Sequence, residues 1–378
     1  MVNVARLIQL FNRPLIQVSA LTFIILLMFW SLPLPRYTGT GAGTSRAIHD
    51  NLDAVKNDTL GFERVFFINM PNRPDKRDYI TLASSLLQFR PEPINGVSAD
   101  QIDQKAYLPS WDPGYLPGEI GAWRAHMNVM QRIVQDRIWT AFVLEDDADW
   151  DVNLKEQLRG FAMASQAIQG VSGSSHSPYG DDWDLLWIGH CGVKFRAGLV
   201  HVTTNDISVV PVSHLPPYWR DPPVGAANTT RLVARTEEGV CSLGYAVTYL
   251  GAQKLLSALS LTPEGVGAQF DVAMSGHCQN GWLKCIAPFP SLIGIWKPAG
   301  PKSRGSDIHS DDGYIEKETP VGSVYSTMYN ARRLLAGEPT VHTGLDDAVV
   351  PELDPGQFKV PNGAVKILDS AGLHEVAV

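Results

Sequence analysis

Five uncharged residues, Thr140-Ala141-Phe142-Val143-Leu144, run straight into four carboxylates within the next five positions, Glu145-Asp146-Asp147-Ala148-Asp149. A short apolar run of this kind reads as a strand buried inside a sheet. Acids crowded at its end repel one another unless water, a basic partner or a metal compensates them. Hard oxygen ligands suit Mg²⁺ or Mn²⁺, which are typically held by one or two carboxylates together with substrate phosphates. In open α/β folds ligands sit beyond the carboxyl ends of strands. The cluster therefore points to a metal holding a diphosphate, with a solvated acidic loop as the plain alternative.

The segments around it alternate in kind. Val65-Phe66-Phe67-Ile68-Asn69 reads as a second buried strand, and a turn through Arg73-Pro74 leads to a helix opened by Asp75, with Tyr79, Leu82 and Leu86 on one face. Leu116-Pro117-Gly118 starts another helix, whose Ile120, Trp123, Met127, Met130 and Val134 fall at helical spacing. Further strands are expected over residues 184–189 and 244–250, then a helix over 252–259. Strands alternating with helices predict an α/β domain with a mainly parallel sheet. Residues 213–227 are Pro-rich and read as irregular, residues 325–335 as one helix, and roughly the last forty residues as loosely ordered.

Residues 14–35 carry no charge and are long enough to cross a bilayer as a helix. No small-x-small cleavage site follows, and Arg6 and Arg13 favour a cytosolic short side. The expected organisation is a cytosolic tail over 1–13, a signal anchor over 14–35, a stem over 36–61, a catalytic domain over 62–315, and a partly disordered extension over 316–378. This is a single-pass type II protein of the Golgi or endoplasmic reticulum membrane, with its domain in the lumen. Asn57-Asp58-Thr59 and Asn228-Thr229-Thr230 are glycosylation sequons. Four cysteines fit two bridges in an oxidising compartment; three pairings exist, and closeness in sequence favours Cys278 with Cys285, leaving Cys191 with Cys241. With 31 basic against 39 acidic residues the chain carries −8, which argues against general nucleic-acid binding.

Several elements form an ordered set: Phe67-Ile68-Asn69 through Arg73 and Arg77, then Gly118-Glu119-Ile120-Gly121 through His126, then Glu145-Asp146-Asp147. Gly244-Tyr245-Ala246, Phe270-Asp271 and Ser306-Asp307-Ile308 follow in the same order. The series resembles glycosyltransferase family 25, over roughly residues 64–308. The resemblance implies a GT-A-like, Rossmann-type nucleotide-sugar domain, a UDP-sugar donor (commonly UDP-galactose), Mn²⁺ or Mg²⁺, and inversion at the anomeric carbon. Ala125 stands where the family often has Ser before the His, and Trp123 is bulkier than the pattern leads one to expect.

Residue by residue, Glu145, Asp146 and Asp147 are the candidate metal ligands, with Asp147 first; Asp149 reads better as a loop acid beside Trp150. The metal would stabilise charge on the departing diphosphate. Asn69, Arg73, Arg77, Arg304 and Ser306 are the candidate donor contacts, since guanidinium forks suit phosphates and Asn69 would read the uracil edge or fix the turn. Lys297 and Lys302 lie in the same Gly/Pro-rich segment as Arg304, a candidate lid. Catalytic candidates are Asp271 as general base, ahead of His277, and His126 and Glu119 as supports; each also has an ordinary structural reading, Glu119 as a helix-start acid. The acceptor is expected to be a glycan, glycoprotein or glycolipid. Two other classes compete: a non-catalytic lumenal carbohydrate- or nucleotide-sugar-binding relative, and a metal-dependent phosphohydrolase. The second is disfavoured because its Asp-x-Asp would follow the first strand. P-loop, GxGxxG and GxSxG signatures are absent.

Overall fold

Strands buried on both faces organise the described part of the chain. The computed structural model describes residues 51–376 apart from 109–113, 222, 224–225, 262–268 and 309–311. They belong to the second of two units, Ser45–Val378; the first, Met1–Thr44, lies outside the described residues and so does the expected anchor over 14–35. Among the described residues no helix is long and apolar enough to cross a membrane.

In chain order the principal elements are β1 (Arg64–Asn69), α1 (Pro74–Leu86), β2 (Glu92–Asn95), α2 (Pro117–Asp136), β3 (Thr140–Glu145), β4 (Ala148–Trp150) and α3 (Leu154–Gln169). Then come β5 (Leu185–Gly189), β6 (Gly192–Thr203), β7 (Arg231–Val240), β8 (Gly244–Thr248), α4 (Tyr249–Leu256) and α5 (Phe270–Gln279). The chain continues with β9 (Cys285–Phe289), β10 (Ile293–Lys297), β11 (Thr319–Val321), β12 (Gly363–Asp369) and β13 (Gly372–Glu375). Ten strands form one sheet in the order β13-β12-β6-β7-β9-β5-β8-β3-β1-β2, and β11-β10-β4 form a small second sheet.

Period-two alternation sends Ala141 and Val143 of β3 to one face and Phe142 and Leu144 to the other, and all four are fully buried. The first face packs with Trp123, Met127 and Met130 of α2, Leu255 of α4 and Met274 of α5. The second packs with Ile80 of α1 and Leu158 and Phe161 of α3. Helices on both faces of a sheet give the expected α/β layering. The bulk of Trp123 is thus core filling.

Three expectations need correction. The sheet is not mainly parallel. Only β1/β2, β1/β3 and β5/β9 pair in parallel, whereas β3/β8, β5/β8, β6/β7, β7/β9, β12/β6 and β12/β13 are antiparallel. Parallel neighbours need a crossover, which α1 and α2 supply only for β1, β2 and β3. The C-terminal region is not loose: β12 pairs with β6 from Gly363↔Thr203 to Leu368↔Gly198, and β13 closes a hairpin on it. The stem's described end is not a tether, because Leu52, Val55 and Leu60 are buried in the core on the α1/α3 side. Within residues 325–335 the helix forms only from Ala331, ending at Ala336. The strand expected over 244–250 ends at Thr248, whose Oγ1 accepts from Gly251 N (2.9 Å) and caps α4.

Candidate functional site

Glu145 ends β3 in step with Ala141 and Val143, so its side chain joins the α2/α5 face. Its Oε1 accepts from Ser242 Oγ at 2.5 Å and lies 3.6 Å from His126 Nε2. Burial penalises its charge, but His126, Ser242 and Lys76 outweigh that and hold the carboxyl below the usual range. His126 is buried on α2; Nδ1 lies 3.0 Å from Tyr245 Oη, and the ring stacks on Phe270 at 4.5 Å between centroids. Asp271, one residue on, accepts from Cys241 N at 2.6 Å. Its pKa is raised by burial, with Glu145 adding. Cys241 is bonded to Cys191 and adopts φ +65°, in the left-handed region. The disulfide-anchored pair Cys241-Ser242 therefore holds Asp271 with one residue and Glu145 with the next. Cys278 bonds Cys285, as closeness in sequence suggested.

Asp146 is buried on the other side of the turn and is fully engaged. Its Oδ1 accepts from Lys76 Nζ (2.9 Å) and its Oδ2 from Asn69 Nδ2 (2.9 Å). Asn69 also donates to Arg73 O and accepts from Arg77 Nε at 3.1 Å each, so of its two expected roles it performs the turn-fixing one. Arg77 gives that support through Nε and does not line the cleft that opens beside the acids. Arg73 grips Asp75 through Nε and Nη2 (2.9 and 2.8 Å) and reaches Asp307 through Nη1 (2.7 Å). Lys76 Nζ lies 3.2 Å from the other oxygen of Asp307. Burial alone would lower the Lys76 ammonium; Asp147, Asp146 and Asp307 together raise it above the usual lysine range.

Asp147 is half-buried, and its Oδ1 has no hydrogen-bond partner. Its carboxyl is pushed up to about 7 by burial and by Glu145 and Asp146, against the pull of Lys76. Its carbonyl accepts from Trp296 N of β10 (2.9 Å), which fixes the turn. Among the described residues no three His, Cys, Asp or Glu side chains are grouped to hold a metal. Of the expected trio, Asp146 accepts from Lys76 and Asn69 through its two oxygens, while Glu145 accepts from Ser242 through Oε1 and lines the cleft. Asp147, with its orphaned oxygen, is the acid whose chemistry fits a cation. Asp149 is fully buried within β4, not in the expected loop, and its Oδ1 accepts from Met328 N (3.4 Å).

A cleft of about 300 Å³ opens beside these acids, bounded by Lys76, His126, Glu145, Asp147, Gly96–Ala99 and Ser306–Ile308. Two glycines permit its walls to close in. A Cβ on Gly118 would meet Ile308 Cα at 2.6 Å, and one on Gly121 would meet Val97 O at 2.2 Å. Ser306 lines the cleft, and Arg304 offers its carbonyl to Arg73 Nη2 (2.7 Å). Glu119 caps α2 by accepting from Leu116 N (2.8 Å) and accepts from Gln269 Nε2 (2.6 Å), tying α2 to the start of α5. Asp271 stands behind Glu145 and is not a lining residue, and His277, Lys297 and Lys302 do not line the cleft either. The sequence reading missed Lys76, Ser242 and Tyr245 as site residues. Lys76 lies between Arg73 and Arg77 and Tyr245 inside a quoted motif, whereas Ser242 carries no local signal.

The chain matches no family model. It is 24% identical over 213 residues to procollagen galactosyltransferase 2 of Mus musculus, covering 53% of this chain and 28% of the relative. It is 26% identical over 279 residues to a glycosyltransferase 25 family member of Anopheles gambiae, covering 69% of this chain and 40% of the relative. This chain is related to glycosyltransferase family 25. A third relative, at 20% identity over 161 residues, is the inactive glycosyltransferase 25 family member 3 of Homo sapiens, covering 39% of this chain and 25% of that one. The chain thus spans well under half the length of these curated relatives.

Proposed function

We propose that the chain is a glycosyltransferase that moves a hexose, galactose by its relatives' names, from a UDP-sugar to a glycan, glycoprotein or glycolipid acceptor with inversion. The observation that carries this reading is the cleft itself. Glu145, Asp146 and Asp147 at the end of β3 line it together with Lys76 of α1, at the strand ends where α/β folds bind ligands. A GT-A-like use of the fold belongs to the same reading. Asp147 would hold Mn²⁺ or Mg²⁺ together with the donor's phosphates, and the cation would supply Lewis-acid stabilisation of the diphosphate. Arg73 and Ser306 bind and orient the donor, and His126 and Ser242 fix Glu145 toward the cleft. Asp271, the expected general base, does not line the cleft; its part is to hold the Cys241-Ser242 segment that positions Glu145. The two disulfides support a lumenal domain behind an anchor at 14–35.

The test is UDP release by the purified full chain across a panel of UDP-sugars, with Mn²⁺ and with EDTA. Release from one donor that EDTA and Asp147→Asn both abolish is the expected result. A second reading, donor binding without turnover, is favoured by the relative named inactive. Calorimetric binding of UDP without release from any donor and acceptor pair would select it.

A further inference from the structure

Asp307 is a surplus anion at a site built for anions. Arg73 already holds Asp75 with two of its nitrogens, and Lys76 already holds Asp146. Arg73 Nη2 also donates to Arg304 O, and the remaining nitrogen of Arg73 and the Lys76 ammonium both reach Asp307: Arg73 Nη1 meets Oδ1 at 2.7 Å and Lys76 Nζ meets Oδ2 at 3.2 Å. Two cations presenting one donor each to two oxygens of one group is the arrangement that recognises adjacent phosphate oxygens. Lys76 is almost wholly buried (side chain 6% exposed), so its charge is little screened and must be matched by an anion. Asp307, by contrast, is 35% exposed and sits on the cleft wall.

We propose that Lys76 and Arg73 together bind the donor's diphosphate, and that Asp307 holds their place until a diphosphate displaces it. The proposal rests on the nucleotide-sugar reading for the identity of the ligand, though not for the existence of the anion site. On displacement Arg73 keeps Asp75 and Lys76 keeps Asp146, so both donors stay aimed while the Asp307 carboxylate turns to solvent. The exchange is of one carboxylate for a more highly charged diphosphate. The nucleoside would then extend along the cleft toward Gly96–Ala99, which line it. Asp307 thus sets an affinity threshold: singly charged anions are outcompeted and diphosphates are not.

The experiment is calorimetric titration of the full chain with inorganic pyrophosphate and, separately, with UDP. Asp307→Asn is expected to bind pyrophosphate about tenfold tighter than the natural chain, and Lys76→Gln and Arg73→Gln at least about tenfold weaker. Equal or weaker binding by Asp307→Asn would overturn the proposal. Should Lys76→Gln fail to fold, Arg73→Gln, at a more exposed position, carries the same comparison. Tighter pyrophosphate binding with no turnover of any nucleotide sugar would leave the anion site standing and remove the transferase reading. Turnover without any tightening would do the reverse.

Discussion

Glu145 and Asp146 are neighbours in sequence and opposites in employment. Both line the cleft, but one is held there by a hydroxyl and an imidazole, the other by a lysine and an amide. The acids were legible from the strand-then-acid pattern, and His126 from the family resemblance. Their division of labour was not, because Lys76 and Ser242 reach them from 70 and 97 positions away. Ser242→Ala removes a hydroxyl that touches no substrate in this reading. It is expected to lower kcat about 10- to 100-fold with little change in KM for the donor, as loss of a group that orients a site residue does, and steady-state kinetics check it. A second residue sets a pH limit on the fold. His190 is buried, with Nε2 at 2.8 Å from Pro288 O and Nδ1 unpartnered, and burial holds it down to about 4 from 6.5. Below pH 6.5 the unfolded chain binds this proton and the native chain does not. Stability from this group is therefore complete above pH 6.5 and falls by up to about 3 kcal/mol as pH drops to 4. Buried acids such as Asp147 and Asp149, raised to about 7, act in the opposite direction, so the test is a difference: between pH 7 and 4 urea unfolding should show the natural chain losing stability relative to His190→Gln.

Among the elements, those buried on both faces were the readable ones. β1, β3, β5 and β8 are short apolar runs, and α2 carries a clear apolar stripe. β6 and β7 were missed because charged residues interrupt them: Lys194 and Arg196 in one, Arg235, Glu237 and Glu238 in the other. Strands with one wet face give no continuous apolar signal. β12 and β13 hid for the same reason, with Lys366 and Glu375 paired across them. Yet β12 covers the Gly198–Thr203 half of the β6 edge and buries Leu368 to 9% exposure. Deleting residues 361–378 is expected to cost at least about 2 kcal/mol from that leucine alone, and to leave β6 as an open edge prone to pairing between copies. Thermal melting and light scattering of the truncated chain test both effects.

Across the whole molecule, the site is assembled from separate stretches of sequence: Arg73 and Lys76, residues 96–99, the first half of α2, the acids after β3, Cys241-Ser242, the start of α5 and residues 306–308. What joins two of them is the Cys191–Cys241 bond, which closes a loop of 50 residues and pins the segment that grips Glu145 and Asp271. Opening that bond leaves the sheet's hydrogen bonds and both cores intact, while freeing Cys241 N–H and Ser242 Oγ to wander. Treatment with a thiol reductant is therefore expected to abolish most activity while the far-ultraviolet circular dichroism changes little, and reoxidation should restore it. The consequence concerns when, rather than where, the protein works. A newly made chain would be shaped before it was competent, silent toward any sugar nucleotide it met on the reducing side of a membrane, and switched on only by the oxidation that accompanies export.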